Sequence, residues 1–229
     1  MMLQFLGRGS AFADMQNCAY FEEDGSLVLL DCPMSAFHVL RRRGIPQKRI
    51  FVLVTHTHGD HVGGIPMLIH MARYISDAPV TVVAPSDEVA EDMRYLIARL
   101  DGCDPAAYTI ITADALDAAW LIGAVPVQHA PALEGRCFGY RLRIGGNDVL
   151  YTGDAASLAP FQPYLHSGAY LYTEIATFDS GVHMYIDDVL PELIRLTEQG
   201  VHVYLMHLDD EAALAEKIRG TGIGFAPLG

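Results

Sequence analysis

Apolar runs of four to seven residues alternate along this chain with polar, glycine-bearing breaks, and run length sorts them into elements. Leu3–Leu6 predicts a short strand, closed by Gly7-Arg8-Gly9-Ser10. Asn17–Glu22 and Ser26–Asp31 predict an antiparallel pair around the turn Glu23-Asp24-Gly25. Met34–Arg43 has helical spacing and stops at Gly44, and Pro46 blocks any continuation. Phe51–Val54 is a buried strand by composition. The segment from Val62 to Ile75 places Ile65, Leu68, Ile69, Ala72 and Ile75 on one helical stripe. Val80–Ala84 predicts a strand, and Pro85-Ser86-Asp87-Glu88 opens a helix that runs to Leu100.

The second half continues in the same manner. Strands are predicted at Tyr108–Thr112 and Ala124–His129, with a hairpin of Cys137–Ile144 and Asp148–Tyr151 around Gly145-Gly146-Asn147. Asp154–His166 reads as loop and short helix, Tyr170–Ile175 as a strand and Ile186–Gln199 as a helix ended by Gly200. Val201–Met206 is a strand, Asp209–Arg219 the last helix, and the tail from Gly220 is glycine-rich. No linker, low-complexity tract or short-period repeat interrupts the chain, so the expectation is one domain over residues 1–229. A β-rich beginning followed by alternating strands and helices in both halves predicts two packed sheets with helices outside.

The chemistry is concentrated after Phe51–Val54. Thr55-His56-Thr57-His58-Gly59-Asp60-His61 sets three imidazoles and a carboxylate at the point where a strand gives way to a helix. Histidines two apart on an extended end point the same way. Asp60 and His61 approach from the first helical turn. Four such groups left uncompensated at the mouth of a buried strand cost folding energy, which disfavours a purely structural role. Three later residues of ligand type each close an apolar run: His129, Asp154 and His207. Any one of them alone is more often structural than a ligand.

The H-x-H-x-D-H pattern, with His129, Asp154 and His207 following in that order, resembles the metallo-β-lactamase superfamily, and the resemblance covers nearly the whole chain. It implies an α/β (α+β) fold, a four-layer αββα metallo-β-lactamase-type sandwich. It also implies two divalent metal ions, one held by His56, His58 and His129 and the other by Asp60, His61 and His207, with Asp154 bridging. Zinc is the default for an imidazole-rich site, with manganese or iron as alternatives. Asp31 corresponds to the superfamily's aspartate behind the metal loop and would orient a ligand or the loop backbone.

Softer patches resemble the RNase Z-like branch: Phe5-Leu6-Gly7-Arg8-Gly9-Ser10-Ala11, Gln16-Asn17, and the stretch from Tyr170 to Phe178 followed by Gly181-Val182-His183. In that branch an acidic strand end and a nearby histidine are associated with proton delivery, which gives Glu174 and His183 catalytic roles beside Asp60. Two departures stand against it. Met184-Tyr185 replaces the small hydroxyl residues usual after the histidine, and Thr173 stands where a histidine is common. Only a short hairpin separates His129 from Asp154, which leaves no room for the long arm of transfer-RNA-processing members.

Bulk properties narrow the function. The net charge of −13 argues against nucleic acid as the main partner. The start has no signal-peptide pattern, no apolar run reaches membrane-spanning length, and the four scattered cysteines fit reduced thiols in the cytoplasm. Taken together, the expectation is a cytoplasmic hydrolase that uses a metal-bridging hydroxide on a small phosphodiester, with homodimers allowed by analogy. The alternative is lactone or thioester hydrolysis at the same site. An iron-dependent oxidoreductase, a tRNA 3′-end endonuclease and a non-catalytic metal-binding module rank below these.

Overall fold

A computed structural model describes residues 2–229. The chain divides into two compact units, Leu3–Asp117 with Leu228–Gly229, and Ala118–Pro227 with Met2.

The first unit holds a six-stranded sheet of β1 (Gln4–Gly7), β2 (Cys18–Glu23), β3 (Ser26–Leu30), β4 (Arg49–Leu53), β5 (Val80–Ala84) and β6 (Tyr108–Thr112), in that spatial order. The first two pairings are antiparallel and the remaining three parallel. The β2–β3 turn carries φ 48° at Asp24 and 71° at Gly25, the doubly positive geometry that a two-residue hairpin needs. Each parallel step is crossed by helix: α1 (Met34–Arg43), then α2 (Gly59–Val62) with α3 (Ile65–Met71), then α4 (Asp87–Arg94). The Ser86 side chain caps α4 by accepting from Val89 N, which satisfies one of its orphan donors. The helix expected from Val62 to Ile75 is divided. Gly63-Gly64 separates α2 from α3, and α3 then widens into a π-helical turn at Ala72–Ser76. α4 likewise ends in a π-helical stretch, Tyr95–Leu100.

The second unit repeats the pairing pattern with different residues. Its sheet runs β7 (Leu121–Pro126), β8 (Phe138–Ile144), β9 (Asn147–Tyr151), β10 (Tyr170–Ile175), β11 (His202–Leu208) and β12 (Gly224–Phe225). Again two antiparallel pairings are followed by three parallel ones. Leu171, Val203 and Leu205 pack in a core with Leu193 and Leu196 of α5 (Ile186–Glu198) and Leu214 of α6 (Glu211–Lys217). The alternate positions bring Tyr140, Tyr151, Tyr172 and Tyr204 into register across four strands, on the opposite face.

All four cysteines are free and buried, and burial pushes the Cys32 thiol up to about 12, so it stays protonated. Among the described residues, no helix is long and apolar enough to cross a membrane.

Candidate metal-ligand clusters

In the first unit the ligand-type residues gather where β3 and β4 end. Asp31 follows β3 with φ 62°, an uncommon backbone state for a residue with a side chain. Its N–H donates to Leu53 O at 2.8 Å, which fixes the strand end against β4. The carboxylate is fully buried. Its Oδ1 accepts from Thr55 N at 2.8 Å, and its Oδ2 accepts from Thr55 Oγ1 and from His61 Nδ1, both at 2.8 Å. Burial pushes the Asp31 carboxyl up, and His61 and the Thr55 donors pull it back. Burial outweighs the three donors, so the net shift is upward.

These bonds set which ring atoms are presented. With Nδ1 of His61 committed to Asp31, its Nε2 faces Asp60 Oδ2 at 3.2 Å. His56 Nδ1 stands 3.0 Å from Thr55 Oγ1, and its Nε2 stands 3.0 Å from His58 Nδ1. The loop is held by its backbone to the segment between β3 and α1. Cys32 N donates to His61 O at 2.7 Å, and Gly64 N donates to Cys32 O at 2.8 Å. A Cβ at Gly64 would fall 2.4 Å from Pro33 O, so only glycine lets the chain approach this closely.

In the second unit His129 lies three residues past the end of β7, beyond the strand predicted to include it. Its Nδ1–H donates to Val182 O at 3.0 Å, which turns Nε2 toward Asp154 Oδ2 at 3.7 Å. His207 lies inside β11, not after it. Pairing with β10 steps from Glu174↔Met206 to Ile175↔Leu208, so His207 is the extra residue of a bulge and takes φ 52°. The bulge re-aims its side chain, and Nε2 comes within 3.4 Å of the same Asp154 oxygen.

Glu174 sits at the end of β10 and is fully buried. Its Oε1 accepts from Ala155 N at 3.2 Å and Met184 N at 3.1 Å, so one atom ties the segment after Asp154 to the segment after His183. Its Oε2 faces His183 Nδ1 at 3.3 Å. Burial pushes the Glu174 carboxyl up, while the His183 bond draws it down and the charge of Asp154 adds to the rise. Ligand-type atoms of His129, Asp154 and His183 lie within 4.8 Å of one another, and so do those of Glu174, His183 and His207.

The first unit thus assembles His56, His58, Asp60 and His61, and the second assembles His129, Asp154, Glu174, His183 and His207. Three supporting residues carried no motif signal. Thr55 and Thr152 are buried hydroxyls at strand ends, and Thr152 Oγ1 accepts from Glu174 N at 3.2 Å. Ser180 Oγ accepts from Val182 N and His183 N at 3.3 and 3.1 Å. The donor set fits divalent cations: imidazoles, of which His56, His61 and His129 have Nδ1 set against a partner, together with buried or half-buried carboxylates.

A family model described as anti-Pycsar protein Apyc1 matches residues 1–96. An Apyc1 of Saccharibacillus brassicae is 48% identical over 68 residues, which is 28% of each chain. A ribonuclease Z of Lactiplantibacillus plantarum is 30% identical over 156 residues, covering 62% of this chain and 48% of that protein. An Apyc1 of Bacillus phage 010DV004 is 23% identical over 239 residues, covering 92% and 90%. The chain therefore spans less than half the length of the first two of these relatives. Among solved structures, the metallo-β-lactamase fold protein YhfI of Bacillus subtilis superposes with a TM-score of 0.77 at 18% identity, covering 99% of this chain and 96% of that one. A diphosphatase of the PhnP family gives 0.71 at 20%, covering 99% and 95%, and the short form of human tRNase Z gives 0.67 at 18%, covering 100% and 97%.

Proposed function

With the metallo-β-lactamase fold as premise, we propose that this chain is a divalent-metal-dependent hydrolase of small phosphodiesters, cyclic ones included. The observation that carries the reading is the state of the buried imidazoles. His56, His61 and His129 each have Nδ1 set against a hydrogen-bonding partner and Nε2 turned toward another ligand-type atom. A merely structural histidine has no need of that arrangement repeated three times.

Two cations are assigned, one to His56, His58 and His129 and the other to Asp60, His61 and His207, with Asp154 shared. When bound, divalent cations bring the pKa of water from about 16 to near 7 and offset charge on phosphoryl oxygens. The chain's own residues do the rest. Asp154 directs one oxygen toward both His129 and His207. Glu174 turns the His183 ring so that Nε2 is the atom presented, and His183 gives the proton to the departing ester oxygen. In the balance, the water oxygen adds to phosphorus, one P–O ester bond breaks, and the leaving oxygen departs as a hydroxyl.

Two features support a small substrate. Between His129 and Asp154 the chain builds only a short 3-10 turn, β8 and β9, with no projecting arm. The acidic balance of the chain repels a polyanion. The relative named ribonuclease Z supports phosphorus over carbonyl chemistry. The test is turnover of bis(p-nitrophenyl) phosphate and of small cyclic phosphodiesters by protein loaded in turn with zinc and manganese, with Asp60→Ala as control. Turnover lost in the variant supports the reading. No turnover by protein shown to hold two metals overturns it in favour of lactone or thioester substrates.

A further inference from the structure

The hydrogen bonds around Thr55 leave its hydroxyl one arrangement. Thr55, Asp31, His56 and His61 are all fully buried, so solvent does not compete for them. The hydroxyl has a single proton, and its best acceptor is Asp31 Oδ2 at 2.8 Å. Toward His56 Nδ1, at 3.0 Å, it can then only accept, which puts the His56 proton on Nδ1 and the lone pair on Nε2. His61 Nδ1 lies 3.4 Å from the same hydroxyl but 2.8 Å from Asp31 Oδ2, so it bonds the carboxylate directly.

We infer that Thr55 is a positioning residue, whose hydroxyl carries the hold of Asp31 across to His56. One buried carboxylate then orients one ligand of each cation assigned above, His61 directly and His56 through Thr55. The inference rests on that ligand assignment. It distinguishes two residues that would otherwise look equivalent. Asp31 serves both metal positions, and Thr55 Oγ1 serves only the one containing His56. A threonine placed there merely to pack would be replaceable by valine, which has nearly the same shape.

The experiment measures stepwise zinc affinity of the full chain by competition with a chromophoric chelator. Wild type is expected to bind two equivalents. Thr55→Val is expected to weaken one of the two steps about 10- to 100-fold, the range for a lost outer partner of a ligating histidine, and to leave the other unchanged. Thr55→Ser restores the first step, and Asp31→Asn weakens both. Two wild-type affinities in Thr55→Val overturn the inference, whereas a wild type that fails to bind two equivalents overturns the ligand assignment instead. Should Thr55→Val not fold, imidazole 15N spectra of the metal-free wild type decide the matter. A His56 ring protonated at Nδ1 upholds the inference, and one protonated at Nε2 sinks it.

Discussion

Glu174 Oε2 lies 3.3 Å from His183 Nδ1 while Oε1 of the same carboxylate accepts from the backbone N–H groups of Ala155 and Met184. The carboxylate is thus both a ring partner and a knot between two loops. Glu174→Gln keeps an acceptor for the two backbone donors and replaces the carboxylate oxygen facing His183 with an amide nitrogen. It should fold and hold metal while kcat falls about 100-fold, the lower range for a positioned proton donor. His183→Ala should cost as much without loss of metal. If metal content falls in step with activity in His183→Ala, the ring is a ligand and not a proton donor.

Asp60 stands in the first turn of α2, 3.2 Å from His61 Nε2. Asp60→Ala should reduce bound metal from two equivalents to one and abolish turnover. Chelation should destabilise the wild type more than the variant. A ligand at 100 times its dissociation constant stabilises by about 2.7 kcal/mol, so losing one of two bound ions shifts the midpoint measurably. Equal shifts in both proteins would argue against Asp60 as a ligand.

The backbone of His207 is held at φ 52°. Left-handed geometry costs a residue with a Cβ roughly 1–2 kcal/mol, and glycine avoids it. In metal-free protein, His207→Gly should therefore be more stable than His207→Ala by about 1 kcal/mol, the reverse of the usual order within a strand. Denaturant midpoints of the two variants check this, and an alanine variant at least as stable would show that the bulge relaxes.

Gly64 approaches the Cys32 and Pro33 carbonyls so closely that an added Cβ must displace backbone. Gly64→Ala should cost about 1–3 kcal/mol, the range for overpacking. The displacement pushes on the segment that bonds His61 O, so metal affinity should fall with stability. A stable variant with unchanged zinc affinity would mean that the contact yields at no cost to the loop.

Away from these clusters, His166 Nε2 pairs with Asp148 Oδ2 at 2.8 Å. The Ser167 carbonyl and Asp148 hold the His166 imidazole above its usual value, and the His166 bond holds Asp148 below the usual carboxylate range. The histidine's contribution is full below its unfolded value, about 6.5, and is lost as pH rises through its folded value. The aspartate's contribution is present above about 3.9 and is lost as pH falls through its folded value. The stability difference between wild type and His166→Gln should peak near pH 5 and shrink toward pH 8 and in high salt. It should be small, because the ring is 55% exposed.

Much of this architecture is legible in the residue pattern because burial writes itself into strands. Asp24-Gly25 and Gly145-Gly146 announce their hairpins, and the apolar runs mark β3, β4, β5 and β10 to within a residue or two. The ligand-type residues are legible because imidazoles and carboxylates at the ends of apolar runs conflict with burial. Hydroxyls do not. Thr55, Thr152 and Ser180 read as ordinary strand-end and loop residues, and their roles emerge only from hydrogen-bond direction. The place of His207 inside a bulge is hidden for a similar reason, since a one-residue slip in pairing depends on the neighbouring strand. The repeated pairing of the two sheets is also invisible in sequence, because strand order constrains where chains run and not which side chains they carry.

Within each sheet, every strand bonds only to those adjacent to it along the chain. A strand leaving the ribosome therefore finds its predecessor in the sheet already waiting, and among the described residues only Phe5 of β1 also pairs with a late segment, at Leu228. Open β edges are surfaces on which one chain pairs with another, and the time they stay bare governs that hazard. Here the growing edge of each sheet is covered by the next strand to be synthesised until its sixth strand is in place. The same order shortens the time for which inner strands stay bare to a neighbouring chain.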